Sequence, residues 1–185
     1  MFSDLAKTAR STRRFAPEPA ISADDMRTLV DLARVAPCGG NQQPLRYRIV
    51  SDPKERAAIF PAIAWAGALK DWAGPAEGER PTGYLVIASA GDHGTDVGIA
   101  AQTIQLAAAD MGYGCCMLGA IRRPAIQQEL QIPQDYTIDL LLALGKPAET
   151  IVLEDVAGDA PLKYYRDSDD VHHVPKLSLD SVLLS

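Results

Sequence analysis

A disulfide framework, metal-ligand spacing and long apolar runs are all missing from this chain. It has three cysteines, and two of them, Cys115 and Cys116, are adjacent, which excludes a stapled scaffold. No C-x-x-C occurs, and two of the three histidines are the neighbours His172 and His173, so no metal site is expected. No uninterrupted apolar stretch approaches the roughly 20 residues of a membrane helix. Asp4, Lys7 and Arg10 interrupt the start, where a secretory signal would carry its apolar core. Buried thiols in a reducing cytosol are the expectation, and with them a cytoplasmic location. A net charge of −6 argues against nucleic acid or an acidic membrane as partner. A G-x-G-x-x-G fingerprint after a first strand and a P-loop are both absent, which argues against the common dinucleotide and NTP folds.

What is present fits one domain of 185 residues, 47% hydrophobic and 23% charged, long enough to bury a core. Ser3 to Ala9 reads as a short helix. Ser22 caps a second helix that carries Met26, Leu29, Val30, Leu32 and Ala33 at helical spacing up to Ala36, where Pro37 ends it. Leu45 to Ser51 alternates as a strand. Asp52 and Pro53 start a further helix bearing Ala58, Ile59, Ile63 and Trp65, with Pro61 as a kink. Asp71 to Pro81 is a loop, and Tyr84 to Ala88 a buried strand. Val97 to Met111 is the longest helix and is apolar on every face, so it is expected in a core or at a subunit interface. A strand from Cys115 to Ile121, a helix from Pro124 to Leu130 and a buried strand from Ile138 to Leu144 follow. From Thr150 onward the sequence turns polar and irregular. Pattern alone, with strands alternating with helices, would give a parallel doubly wound sheet.

Two segments carry chemistry. Arg10-Ser11-Thr12-Arg13-Arg14 packs three guanidinium groups and two hydroxyls into five residues of an acidic protein, the donor set that a phosphate needs. Ala36-Pro37-Cys38-Gly39-Gly40-Asn41-Gln42-Gln43-Pro44 is a small-residue turn ending in amides, able to hydrogen-bond the edge of a flat heterocycle. Together they point to a nucleotide-like cofactor. Each has a plainer alternative: a solvated basic turn for the first, and for the second a loop whose amides satisfy its own backbone.

The R-S-x-R-x-F opening and the A-P-x-G-G-N-x-Q-P turn are joined by Gly112-Tyr113-Gly114-Cys115-Cys116-Met117-Leu118-Gly119, by Leu144-Gly145-Lys146-Pro147 and by His172-His173-Val174-Pro175-Lys176. In this order the five resemble the nitroreductase family of flavin enzymes. The resemblance implies an α+β fold, a mixed and mostly antiparallel sheet flanked by helices, over a single domain 1–185. It also implies an intertwined homodimer in which the arm 150–185 packs on the partner. FMN is the implied cofactor and NADH or NADPH the reductant. Arg10, Ser11 and Arg13 would hold the phosphate and ribityl chain, with Lys176 and His173 closing it. Pro37, Cys38, Gly39, Asn41 and Gln43 would contact the ring, partly from the partner subunit. Backbone amides of Leu118 and Gly119 would lie near the hydride-accepting nitrogen.

Trp65 and Trp72 are the substrate-cleft candidates, with helix packing the alternative for Trp65. No side chain is singled out as an acid or base. The chain departs from the family at Ala9, where an arginine is common, at Cys38 for serine, at Leu45 for tryptophan and at Leu177 for arginine. The implied reaction is a ping-pong transfer to a small flat acceptor such as a nitroaromatic, quinone or activated alkene. The alternatives are a flavin carrier or sensor, and a specialised family reaction such as reductive dehalogenation or flavin fragmentation.

Overall fold

The apolar run around Ile138–Leu144 is the middle of an eleven-residue strand, β5 (Thr137–Pro147), on which the architecture is assembled. The computed structural model describes residues 1–184. One edge of β5 pairs antiparallel with β3 (Gly83–Ser89), which pairs antiparallel with β2 (Arg46–Val50). On its other edge lie β4 (Gly114–Leu118) and the two-residue β1 (Phe15–Ala16), again antiparallel. The doubly wound parallel sheet that pattern alone would give is thereby excluded.

All seven residues of β3 are buried, as a strand covered on both faces must be. Alternation divides its side chains between two cores. Tyr84 and Val86 join Ile138, Leu141, Cys116 and Phe15 on one face. Leu85 and Ile87 join Leu142, Leu144, Cys115 and Ile104 on the other. The adjacent cysteines therefore point to opposite sides of the sheet. Burial pushes both thiols up, Cys116 to about 11.

Helices α1 (Phe2–Thr8), α2 (Ala23–Arg34), α3 (Pro53–Ile59), α4 (Gly94–Asp110) and α5 (Arg123–Glu129) surround this sheet. Ser22 caps α2 by accepting from the Asp25 amide at 2.9 Å, and Asp52 caps α3 by accepting from the amides of Lys54 and Glu55. The helix expected to run through Trp65 stops at Ile59. Pro61 cannot donate to a continuing helix, so a single 3-10 turn, Phe60–Ala62, follows, and Ile63 bridges to Ile121. No helix among the described residues is long and apolar enough to cross a membrane.

At 17 residues α4 is the longest helix, but its all-apolar surface is covered on one side only. Val97, Ala100, Ala101, Ile104 and Ala108 face the second core, whereas Gly98, Ile99 and Gln102 are exposed.

The tail is ordered where irregularity was expected. Strands β6 (Ile151–Val156), β7 (Tyr165–Arg166) and β8 (His172–Leu177) form a second sheet, with β6 parallel and β7 antiparallel to β8. This sheet folds back onto the arginine turn of its own chain. Short helix α6 (Leu179–Val182) follows, and Leu179, Val182 and Leu183 stay exposed. The polar composition that looked irregular is that of a thin sheet with little core of its own.

The arginine turn is seated by close packing. Thr12 donates its amide to the Cys115 carbonyl at 3.0 Å, and Ser11 bridges to Cys115. A Cβ on Gly114 would meet the Thr12 side chain at 2.7 Å. Gly114→Ala is expected to lower stability by about 1–3 kcal/mol, the cost of overpacking a filled site. A lower urea midpoint at unchanged m-value checks it.

Candidate functional site

The three arginines of the N-terminal turn meet different fates. Arg14 pairs with Glu79 at 3.3 Å and with Asp170, and its guanidinium lies 6.0 Å from the Trp72 ring. Arg10 folds back to donate to the Ala6 carbonyl at the end of α1, 2.7 Å away. Arg13 donates to the Ser11 carbonyl at 3.1 Å and stacks over Tyr164 at 4.7 Å. Among the described residues neither Arg10, Arg13 nor Lys176 is ion-paired with a carboxylate. These three cations line a hollow of 330 Å³, together with Ser11, Gln102 and Gln105 of α4, and Tyr164, His172 and Val174 of the tail.

His172 is wholly buried there. Its Nε2 lies 3.4 Å from Arg13 Nη1, and a guanidinium can only donate, so Nε2 is the acceptor and Nδ1 carries the proton. Burial first, and the Arg13 charge second, hold its pKa below the ordinary histidine value. Among the described residues the buried Nδ1 has no hydrogen-bond partner. Cations without counter-charge beside a buried donor without an acceptor are what a phosphate completes. The phosphate and ribityl end of FMN therefore fits the residues present.

The sequence favoured His173 over His172, whereas it is His172 that lines the hollow. Residues 172, 174 and 176 share one face of β8, so the histidine that accompanies Lys176 in the hollow is His172. His173 faces away and is held by Glu154 and Asp167. Strand parity was the signal that identifies it. Gln102, Gln105 and Tyr164 were also missed: the first two read only as breaks in an apolar helix, and no local pattern marks Tyr164.

The Pro37–Pro44 loop lies apart from this hollow within one chain. Gly40, Asn41 and Gln43 all take positive φ, between 51° and 56°, which turns the loop sharply. Asp96 of α4 accepts from the Gly39 amide at 2.9 Å, Cys38 Sγ accepts from the Gln43 amide at 3.2 Å, and Gln43 Nε2 donates to Asn41 Oδ1. Pro37, Cys38 and Gln43 line a 550 Å³ hollow with Leu45 and Tyr47, and Gly39 lines an adjoining one with His93. Helix α4 borders both halves, giving Asp96 and Ala100 to the loop side and Gln102 and Gln105 to the arginine side.

Leu118 is buried at the end of β4, and Gly119 beyond it is exposed, with open space where a Cβ would stand. Neither lines the two hollows. The tryptophans do not form a cleft mouth. Trp65 is 7% exposed, packs in the first core beside Phe60 with ring centroids 6.0 Å apart, and is capped by Gly74. Trp72 is half-buried under Arg166, whose guanidinium lies 4.5 Å from its ring. Termination of α3 explains Trp65: the chain leaves extended and carries the indole inward.

The protein is thus an α+β domain, a mostly antiparallel sheet with helices on both faces, with a cationic hollow on one side of α4 and a glycine-rich turn on the other. The nitroreductase family pattern matches residues 6–83 and 92–146, and the chain belongs to that family. The match stops before the tail. DrgA of Synechocystis is 28% identical over 79% of this chain and 84% of its own length. A protein of Archaeoglobus fulgidus, provisionally named NADH dehydrogenase/NAD(P)H nitroreductase, is 26% identical over 77% of this chain and 83% of its own. Among solved structures, a nitroreductase family protein from Clostridium novyi superposes with a TM-score of 0.69 at 26% identity, covering 80% of this chain and 86% of that one.

Truncating Trp65 tests its placement. Trp65→Ala is expected to cost about 3–5 kcal/mol of stability, the range for a buried large aromatic. Thermal unfolding checks it, and an unchanged melting temperature would return Trp65 to the surface.

Proposed function

We propose that the chain is an FMN-dependent oxidoreductase that takes hydride from NADH or NADPH and reduces a flat acceptor such as a nitroaromatic, quinone or activated alkene. The observation that carries this reading is the hollow of Arg10, Arg13, Lys176 and His172, cationic and without carboxylate partners among the described residues. Family membership and the name of the Archaeoglobus relative support the redox class and the nicotinamide reductant. When bound, FMN supplies a two-electron carrier that alternates between reductant and acceptor in a ping-pong cycle.

The residues of this chain have separate tasks. Arg10, Arg13 and Lys176 bind the phosphate by charge-assisted hydrogen bonds. His172 adds a neutral donor through Nδ1, and Ser11, Gln102 and Gln105 offer polar partners to the ribityl hydroxyls. The Cys38–Gln43 loop and the Leu118–Gly119 amides serve the ring. Gly119 leaves the backbone open to close approach.

One chain does not bring the loop and the arginine turn to a common hollow. A homodimer is therefore part of the proposal, with the loop of one copy completing the arginine hollow of the other. The exposed Gly98, Ile99 and Gln102 face of α4 supports it, as do the uncovered Leu179, Val182 and Leu183. A site that takes two flat ligands in turn, reductant and then acceptor, is part of the same proposal.

The purified protein is expected to be yellow, to bleach with NADH or NADPH under nitrogen, and to recover its colour on adding a quinone. A colourless protein that ignores added FMN would end the proposal. Arg13→Ala should weaken FMN binding by roughly 1.5–3 kcal/mol, or about 10- to 150-fold, read by quenching of flavin fluorescence. Deleting the residues after Asp170 should lose FMN and the dimer together, because β8 carries the hollow contacts and the exposed Leu179, Val182 and Leu183 follow it. Sedimentation and flavin absorbance decide this, and a yellow dimer without the tail would sink it.

A further inference from the structure

His173 is bound by acid on both sides. Its Nδ1 lies 2.6 Å from Glu154 Oε1 on β6, and its Nε2 lies 2.9 Å from Asp167 Oδ2 in the turn after β7. A neutral imidazole has one N–H and can donate to only one of these carboxylates, leaving the other facing a lone pair. Only the imidazolium donates to both. The ring also stacks on Tyr165 of β7, centroids 4.8 Å apart and planes 7° from parallel, and the Tyr165 hydroxyl donates to Glu154 at 3.2 Å. One proton thus ties all three strands of the small sheet together.

The other face of β8, with Tyr164 just before β7, forms one wall of the cationic hollow. His172 packs against Tyr164, 5.2 Å between centroids with the ring planes tilted by 39°, and Lys176 lies four residues further along β8. That wall is held to the rest of the chain by side chains: Arg166 to Glu149 and over Trp72, Asp170 to Arg14, and Arg13 against Tyr164 and His172. We propose that His173 is a proton-operated latch on the tail sheet, and that opening it loosens the wall of the hollow made by Tyr164, His172 and Lys176.

The charges around the latch give its direction. Glu154 from β6 and Asp167 and Tyr165 from the β7 side face the ring, His172 is its neighbour on β8, and Arg13, Glu149 and Arg166 surround His172 on the far face. The hydrogen bonds to Asp167 and then Glu154 raise the His173 pKa, and Asp167 is lowered in return. A histidine raised in the folded state stabilises fully below its free value of about 6.5. It loses that contribution as pH rises through the raised value. The latch is therefore closed below about pH 6.5 and opens as the pH rises through the raised value. His172, lowered rather than raised, has already lost its proton in that window and takes no part. The phosphate of FMN, with its second pKa near ~6, is a dianion throughout it.

Hydrogen exchange of the cofactor-free protein, corrected for the intrinsic rate, tests the latch between pH 6.5 and 9.5. Protection of the segment 151–177 relative to β5 should fall by up to about tenfold per pH unit within the window, the slope of one linked proton. His173→Gln keeps one donor but does not titrate, and its tail should be less protected with no such step. Glu154→Gln should move the wild-type midpoint to lower pH. Wild-type protection without a step, or a step that survives in His173→Gln or stays in place in Glu154→Gln, overturns the latch.

The link to the hollow rests on reading that hollow as the FMN phosphate site, and is tested separately by titrating FMN over the same pH range. Affinity should fall several-fold in the wild type and stay level in His173→Gln. A tail that loosens while FMN affinity holds overturns the link. A protein that binds no FMN at any pH sinks the cofactor reading, and the exchange data still decide the latch.

Discussion

Glu149 sits where the arginine turn, the end of β5 and the tail sheet meet. Its carboxylate accepts from the backbone amides of Arg13 and Arg14 and from the Arg166 guanidinium at 2.9 Å, and its side chain is 1% exposed. A buried carboxylate is tolerated only when its lone pairs are filled, so its burial and its three donors imply one another. By taking the Arg13 and Arg14 amides it fixes the direction in which the turn leaves Thr12, which in turn sends Arg13 toward His172 and Arg14 toward Glu79 and Asp170. The same carboxylate anchors β7 through Arg166. The cationic hollow exists because this acid is satisfied by backbone and by Arg166, leaving Arg13 and Arg10 uncompensated.

Much of the fold was legible because its strands and helices are locally consistent. Ser22 and Asp52 announce helix starts, Pro37 announces a stop, and the apolar runs at Tyr84–Ala88 and Ile138–Leu144 are strands in the structure. Pairing direction was not legible from the residues, since a strand covered on both faces reads the same in parallel and antiparallel sheets. Resemblance supplied the α+β reading in place of a doubly wound one. Local pattern failed at Ile63–Trp65, where apolar spacing continues past Pro61 but the backbone does not. It failed again after Thr150, because a thin three-stranded sheet that leans on another surface has no apolar alternation to display.

The site divides in the same way. Arg10 and Arg13 could be picked from charge density against an acidic background, and Lys176 by resemblance. The partition of Arg13 from Arg14 could not, because it depends on Glu79, Asp170 and Glu149, which lie far away in sequence. Trp65 and Trp72 drew attention as aromatics near a loop, yet one fills a core and the other is a platform for Arg166. Residue type alone carries little information about which side of a surface an indole will occupy.

The alternation that sends Cys115 and Cys116 to opposite faces of the sheet has a practical consequence. Two neighbouring thiols in separate cores cannot join to each other without breaking the strand, and both are raised and shielded from reagent. Cys38, on the glycine-rich loop, is the thiol left within reach of solvent. The chain therefore comes with a built-in single attachment point. A maleimide dye or spin label at Cys38 would report on the loop directly, with no need to remove the other two cysteines first.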